Sequence, residues 1–287
     1  MASRRRHVLS DLTYEPARAA VRGWLGEPGQ GRLIVDSASP LLVWEPRRFL
    51  PYYAFPDGDV DLAAIRPSKS PGPQVHGDGV TYFDLTVGAT RRQQAGWSWP
   101  DPQLNHAIVV DWEALDQWFE EDDEIFGHPR DPYHRLDVLP TSRHVKVLLD
   151  DNVLAESRRT ILMPETLLPA RFYFDIADVR TDILTSSDLE TVCPYKGFAR
   201  YWTVHTARGA ATREVAWSYL DPSGGLASVA GRIAFLDEVV DIYVDGVRRP
   251  RPHTQWSEGI RANTRGGGSG HRQAAHNGAD ESVVAQW

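Results

Sequence analysis

The five residues CPYKG, 193–197, bring the single cysteine of a 287-residue chain, Cys193, within three positions of Lys196, one of only three lysines among 31 basic residues. A thiol attacks as its thiolate, and a neighbouring cation favours that form. Lysine is a compact charge whose protonation responds to burial, whereas arginine stays charged. Pro194 and Gly197 suit a turn that would bring the two side chains together. The pattern suggests a reactive or ligand-contacting thiol, with an ammonium beside it as activating cation or anion anchor. The alternative is a small cysteine packed behind the strand that follows, with Lys196 at the surface, because free cysteine is among the most buried residue types.

Glu165 is a second candidate, standing in an otherwise apolar stretch. A carboxylate near apolar strands can serve as acid, base or ligand anchor. It can equally be half of a structural ion pair, with Arg171 as one possible partner. Trp217 and Tyr219 alternate along one face of an expected strand and can wall a pocket for a flat ligand, or simply fill a core. Tyr173 and Tyr201 carry the same two readings. His128, Asp131 and His134 have metal-ligand chemistry but lack a further well-placed histidine or cysteine, so no metal site is assigned. The sequence contains no GxxxxGK[ST], GxGxxG, GxSxG or HExxH motif and names no cofactor.

The elements that must position these residues are written twice. AGWSWPDP (95–102) resembles VAWSYLDP (215–222), with Trp97 on Trp217 and Asp101 on Asp221, 120 positions apart. The same offset places Glu45 on Glu165 and Asp36 on Glu156. With shifts of one or two residues, PYYAFPDGDV (51–60) meets PARFYFDIADV (169–179) and TYFDL (81–85) meets RYWTV (200–204). Several anchors in one order predict two homologous domains, 14–127 and 143–250, joined by a proline-stiffened connector, 128–142. At the thiol segment this alignment sets Cys193 on Gln74 and Lys196 on Gly77, so the first copy looks divergent there and the pair looks special to the second.

Both copies read as mainly β. VKVLLDDNVLAES (145–157) has two apolar runs around Asp150-Asp151-Asn152, a hairpin signal. Residues 170–174, 199–206, 214–220 and 239–246 are rich in the aromatic and β-branched types of strands. In DWEALDQWFEEDDEIF (111–126), Trp112, Leu115, Trp118 and Phe119 fall at helical spacing behind a capping Asp111, which predicts one short helix closing the first copy. The Gly/Ser-centred end, 251–287, is expected to be disordered.

A net charge of −8 argues against broad phosphate-backbone binding, so nucleic acid is not an expected partner. No apolar run approaches the roughly 18 residues of a membrane span. The start, MASRRRHVLSDL, lacks a signal-peptide core, and one cysteine rules out an internal disulfide. The chain reads as a cytoplasmic protein with a small molecule or another protein as its partner.

TVCPYKGFARYW (191–202), followed by AWSYLDP (216–222) and preceded by MPETLLPARFYFDIADV (163–179), resembles the bacterial domain-of-unknown-function family 427. The resemblance would set Glu165, Tyr173, Asp178, Cys193, Pro194, Lys196, Gly197, Tyr201, Trp217 and Tyr219 on motif positions. The first copy keeps Glu45, Asp59, Tyr82 and Trp97 of that pattern, and HPRDPYHR (128–135) is similar to the connector of a tandem actinobacterial form. It implies a compact, tent-like β fold of the kind found in the Mss-four and methionine sulfoxide reductase B group, here without the zinc cysteines. It also brings a nucleotidyltransferase-type label. Two functions follow as expectations: an enzyme or small-ligand protein with its site in the second copy, a nucleotide-handling enzyme being a narrower variant, or a noncatalytic protein-interaction module.

Overall fold

The protein is described by a computed structural model covering residues 11–46, 48, 50–206, 211–254 and 257. The chain divides into two compact units at Asp131/Pro132. The first contains strands β1 (Thr13–Pro16), β2 (Val21–Leu25), β3 (Arg32–Ser37), β4 (Leu41–Trp44), β5 (Tyr52–Phe55), β6 (Ile65–Pro67), β7 (Thr81–Val87), β8 (Thr90–Ser98), β9 (Ile108–Val110), β10 (Gln117–Glu120) and β11 (Asp123–Ile125). The second contains β12 (Leu139–Thr141), β13 (Val145–Leu149), β14 (Asn152–Ser157), β15 (Thr160–Glu165), β16 (Leu168–Phe174), β17 (Leu184–Cys193), β18 (Gly197–Val204), β19 (Thr212–Tyr219), β20 (Ile233–Phe235), β21 (Asp241–Val244) and β22 (Val247–Arg248).

Each unit has one large and one small antiparallel sheet. The large sheets run β1-β4-β5-β9-β8-β7-β6 and β12-β15-β16-β20-β19-β18-β17, and the small ones β3-β2-β10-β11 and β14-β13-β21-β22. Adding eleven to any strand of the first unit gives its counterpart in the second, so the sequence repeat is a repeat of topology. Register agrees as well: Tyr82 faces Trp97 and Tyr201 faces Trp217.

Alternation along the strands splits each core in two. In the second domain, Val145, Val147, Phe172, Phe174, Val215 and Phe235 form one cluster fed by both sheets. The intervening Tyr173, Trp217 and Tyr219 point to the other face of the large sheet, where Met163, Leu226 and Val229 join them. Burying each such side chain stabilises the fold by about 1.5–3 kcal/mol, which fixes the register of a sheet used on both faces. The hairpin expected around Asp150-Asp151 is present, and both residues take positive φ, 48° and 66°, as its tight turn requires.

The helix expected over 111–126 is not there. Asp111 caps a single 3₁₀ turn, Trp112–Ala114, by accepting from Glu113 N at 3.0 Å, and the chain then forms the β10–β11 hairpin. Glu121, at φ 51°, makes the turn. Strand β2 decides the matter by pairing Val21–Trp24 with Gln117–Glu120. Within the segment 128–142, residues Leu139–Thr141 form an edge strand of the second large sheet, and Leu136 and Val138 pack on its aromatic cluster. Most of the expected disordered tail, all but 251–254 and 257, lies outside the described residues. Among the described residues no helix is long and apolar enough to cross a membrane.

Candidate functional site

Three pieces of chain meet on the aromatic face of the second large sheet. Strand β15 ends at Glu165. The turn Pro194-Tyr195-Lys196 joins β17 to β18, with Cys193 paired to Gly197 at its base. Residues 135–137 run antiparallel to 164–166, through Thr166 N to Arg135 O (2.9 Å) and Asp137 N to Pro164 O (3.0 Å). The turn is pinned by Lys196 N to Cys193 O and by Ser223 N to Lys196 O, both 3.2 Å. Gly197 closes it at φ 88°, a conformation that side chains disfavour. A Cβ there would also press on Ser223 Oγ at 3.2 Å and Asp221 O at 3.3 Å.

Lys196 Nζ donates to Glu165 Oε2, and His134 Nε2 lies 3.1 Å from Glu165 Oε1. The Lys196 and Glu165 side chains are only 10% and 7% exposed. Burial alone pushes the Glu165 carboxyl up, but His134 and Lys196 outweigh it and hold it below its ordinary value. Burial likewise pulls the Lys196 ammonium down, and the opposing carboxylate of Glu165 leaves it raised. The pair is therefore a carboxylate and an ammonium, each kept charged by the other. That argues against Glu165 as a proton donor and for Lys196 as a fixed positive charge.

The four aromatic candidates surround this pair. Lys196 Nζ sits 6.0 Å from the Tyr219 ring centre, and Trp217 Nε1 donates to Tyr173 Oη at 3.3 Å. Tyr201 Oη and Thr191 Oγ1 are 3.1 Å apart. Burial raises the phenols of Tyr173, Tyr201 and Tyr219, so they remain neutral hydrogen-bonding groups. Cys193 is a free, half-buried thiol at the base of the turn that carries Lys196. All seven residues singled out in the sequence thus occupy one neighbourhood.

Some assignments change. Arg171 does not pair with Glu165. It forks onto Glu238 at 2.7 and 2.8 Å, lies 3.1 Å from Asp237, and stands 5.7 Å over the Trp217 ring. Glu156, on the hairpin strand β14, lies between His144 at 2.7 Å and Lys146 at 3.2 Å. His134 belongs to Glu165, and among the described residues no group of three or more His, Cys, Asp and Glu side chains is placed to hold a metal ion.

The first domain carries a counterpart that the sequence alignment missed. His76 Nδ1 lies 2.7 Å from Glu45 Oε1, and Trp99 Nε1 donates to the same oxygen at 3.2 Å. The imidazole stacks on Trp97 with ring centres 3.9 Å apart and planes at 17°. Gly77 follows at φ 92°, as Gly197 follows Lys196. The true match of Lys196 is therefore His76, at the same 120 offset as Glu45 and Glu165, and not Gly77. Both domains bury a glutamate against a basic side chain from the same turn, but at that offset Pro73 stands where the second domain has Cys193. The repeat also keeps a small tie, Ser37 to Asp59 and Ser157 to Asp178, 2.6 Å in each.

Residues 14–122 and 137–246 each match the family model described as a domain of unknown function, DUF427, labelled NTP_transf_9. No curated protein matches the chain.

Proposed function

The chain belongs to the DUF427 family through both of its domains, and on that premise we propose that the second domain is the site of an enzyme or small-ligand protein built around Cys193 and Lys196. One observation carries this reading: a buried ammonium, neutralised by Glu165, stands beside a half-buried free thiol among Tyr173, Tyr201, Trp217 and Tyr219. Desolvated charges are costly, and functional sites are a common reason for them. In this reading Cys193 contacts the ligand, Lys196 is the fixed charge beside it, and Glu165 is its counterion instead of an acid. The aromatic side chains form the wall.

With one cysteine per chain, any thiol reagent reports Cys193 alone. The test compares alkylation of folded wild type with the double variant Glu165→Gln/Lys196→Met, which removes both charges without orphaning one. The proposal expects slower alkylation in the double variant at neutral pH, since the thiolate loses its ammonium. Equal rates would remove the electrostatic basis for a site. A nucleotide-handling variant of this reading, in line with the family's label, predicts a thermal shift with nucleotides and magnesium.

A second reading, a protein-interaction module, rests on Phe198 and Leu220, which adjoin the paired Ala199 and Tyr219 in sequence and are 45% and 53% exposed. Exposed apolar neighbours of this kind are common at partner surfaces. Phe198→Ser/Leu220→Ser would then abolish capture of a specific partner while leaving Cys193 chemistry unchanged.

A further inference from the structure

Among the described residues two side-chain donors hold the buried glutamate in each domain, and the second donor differs. In the first domain it is Trp99, through Nε1 to Glu45 Oε1 at 3.2 Å. Position 219 is the counterpart of 99 and holds a tyrosine, whose ring faces Lys196. A carboxylate taken out of water needs its oxygens bonded to stay charged. In the second domain the missing donor comes from elsewhere: His134 Nε2, 3.1 Å from Glu165 Oε1.

His134 lies outside the family match, which begins at residue 137. Its place is nevertheless fixed on both sides. The backbone ladder between 135–137 and 164–166 sets its main chain, reinforced by Arg135 N to Thr166 Oγ1 at 2.8 Å. Its imidazole stacks on Tyr195, with ring centres 4.0 Å apart and planes at 10°. Tyr195 is the turn residue between Cys193 and Lys196. One side chain therefore touches both the carboxylate and the turn that carries the thiol and the ammonium.

The geometry points to His134 as a positioning residue of the second-domain site: by occupying Glu165 Oε1 it leaves Oε2 for Lys196, and by stacking on Tyr195 it holds the turn. The functional unit of the second domain then begins in the stretch between the two matched segments. This inference rests on the site proposed above, and it adds a member from outside the two matched segments.

The test uses the full chain with ¹⁵N-labelled lysine, which gives three side-chain signals. A buried, bonded ammonium exchanges its protons slowly, so the Lys196 Nζ signal should be visible in wild type where exposed lysines are broadened. His134→Gln sets an amide donor near the Nε2 position, and His134→Asn near the Nδ1 position. The expected result is that the Lys196 signal survives in His134→Gln and is lost in His134→Asn, with both variants folded. Survival in both would mean that the donor is dispensable, and loss in both would mean that a donor at the Nε2 position does not hold the Lys196–Glu165 pair. Either outcome overturns the inference. Comparing two variants of similar size keeps the test valid even if His134→Ala fails to fold. Alkylation of Cys193 in wild type and in Glu165→Gln/Lys196→Met tests the underlying site separately: equal rates would sink that reading while leaving the Lys196 signal to decide on His134.

Discussion

A carboxylate set among tryptophans and tyrosines keeps its charge only while donors reach it, and Glu165 depends on Lys196 and His134 for this. Removing one charge of a buried pair leaves the other uncompensated, at a cost of about 3–5 kcal/mol, whereas replacing both is often nearly neutral. Lys196→Met should therefore destabilise the second domain by about that amount, and Glu165→Gln/Lys196→Met by much less. Denaturant unfolding of the two variants checks this, and equal losses would show that the pair is not coupled. The same carboxyl has a pH signature. Its folded value lies below the ordinary 4.5, so its contribution is complete above 4.5 and fades as pH falls through the lowered folded value. Asp237 works in the opposite sense, because burial raises its carboxyl, so the wild-type slope alone is ambiguous. The difference between wild type and Glu165→Gln isolates this carboxyl: wild type should lose stability faster below pH 4.5, and parallel curves would contradict the assignment.

At the level of elements, what was legible in the sequence depended on whether one pattern had one meaning. The β-branched and aromatic runs of β16, β18 and β19 were readable because both faces of the large sheet are buried. The segment 111–126 was not, because Trp112, Leu115 and Trp118 at spacings of three suit a helix face as well as a 3₁₀ turn followed by a strand. The deciding contact is non-local. Gly23 on β2 admits the side chains: a Cβ there would stand 2.5 Å from Leu115 Cδ1 and 2.9 Å from the Trp118 ring. Trp118 stacks on Phe55 and Trp112, at 6.1 and 5.2 Å, and donates Nε1 to Trp112 O at 3.0 Å. Trp118→Ala should cost about 3–5 kcal/mol as a core truncation, read by loss of the unfolding midpoint of the first domain. A cost under about 1 kcal/mol would place that indole on the surface. The site shows the same division. Cys193, Lys196 and Glu165 were readable as scarce or misplaced residue types. His76 was hidden by a one-residue slip in the alignment, and His134 by looking like a metal ligand, since no local pattern tells an imidazole that it will meet a glutamate 31 residues away.

For the whole molecule, duplication separates what the fold needs from what one copy has added. Both copies keep the eleven-strand order, the Ser–Asp tie and a buried glutamate with a basic partner. Only the second adds the thiol, the ammonium and the donor from the connecting stretch. The core clusters follow the same boundary: each draws its residues from one domain alone. Among the described residues the partners of Lys196, Glu165 and the Tyr219 ring, belong to the second domain, and distant sites without shared partners behave additively. Amide exchange on the full chain should then show Lys196→Met lowering protection along β15, β16, β18 and β19 while β4, β5, β8 and β9 keep wild-type protection. The reciprocal variant, His76→Leu, leaves Glu45 with Trp99 as its side-chain donor among the described residues and should reverse the pattern. If both halves lose protection together in either variant, the two cores unfold as one cooperative unit, and the assignment of separate sites to separate domains would need a coupling that neither core contains.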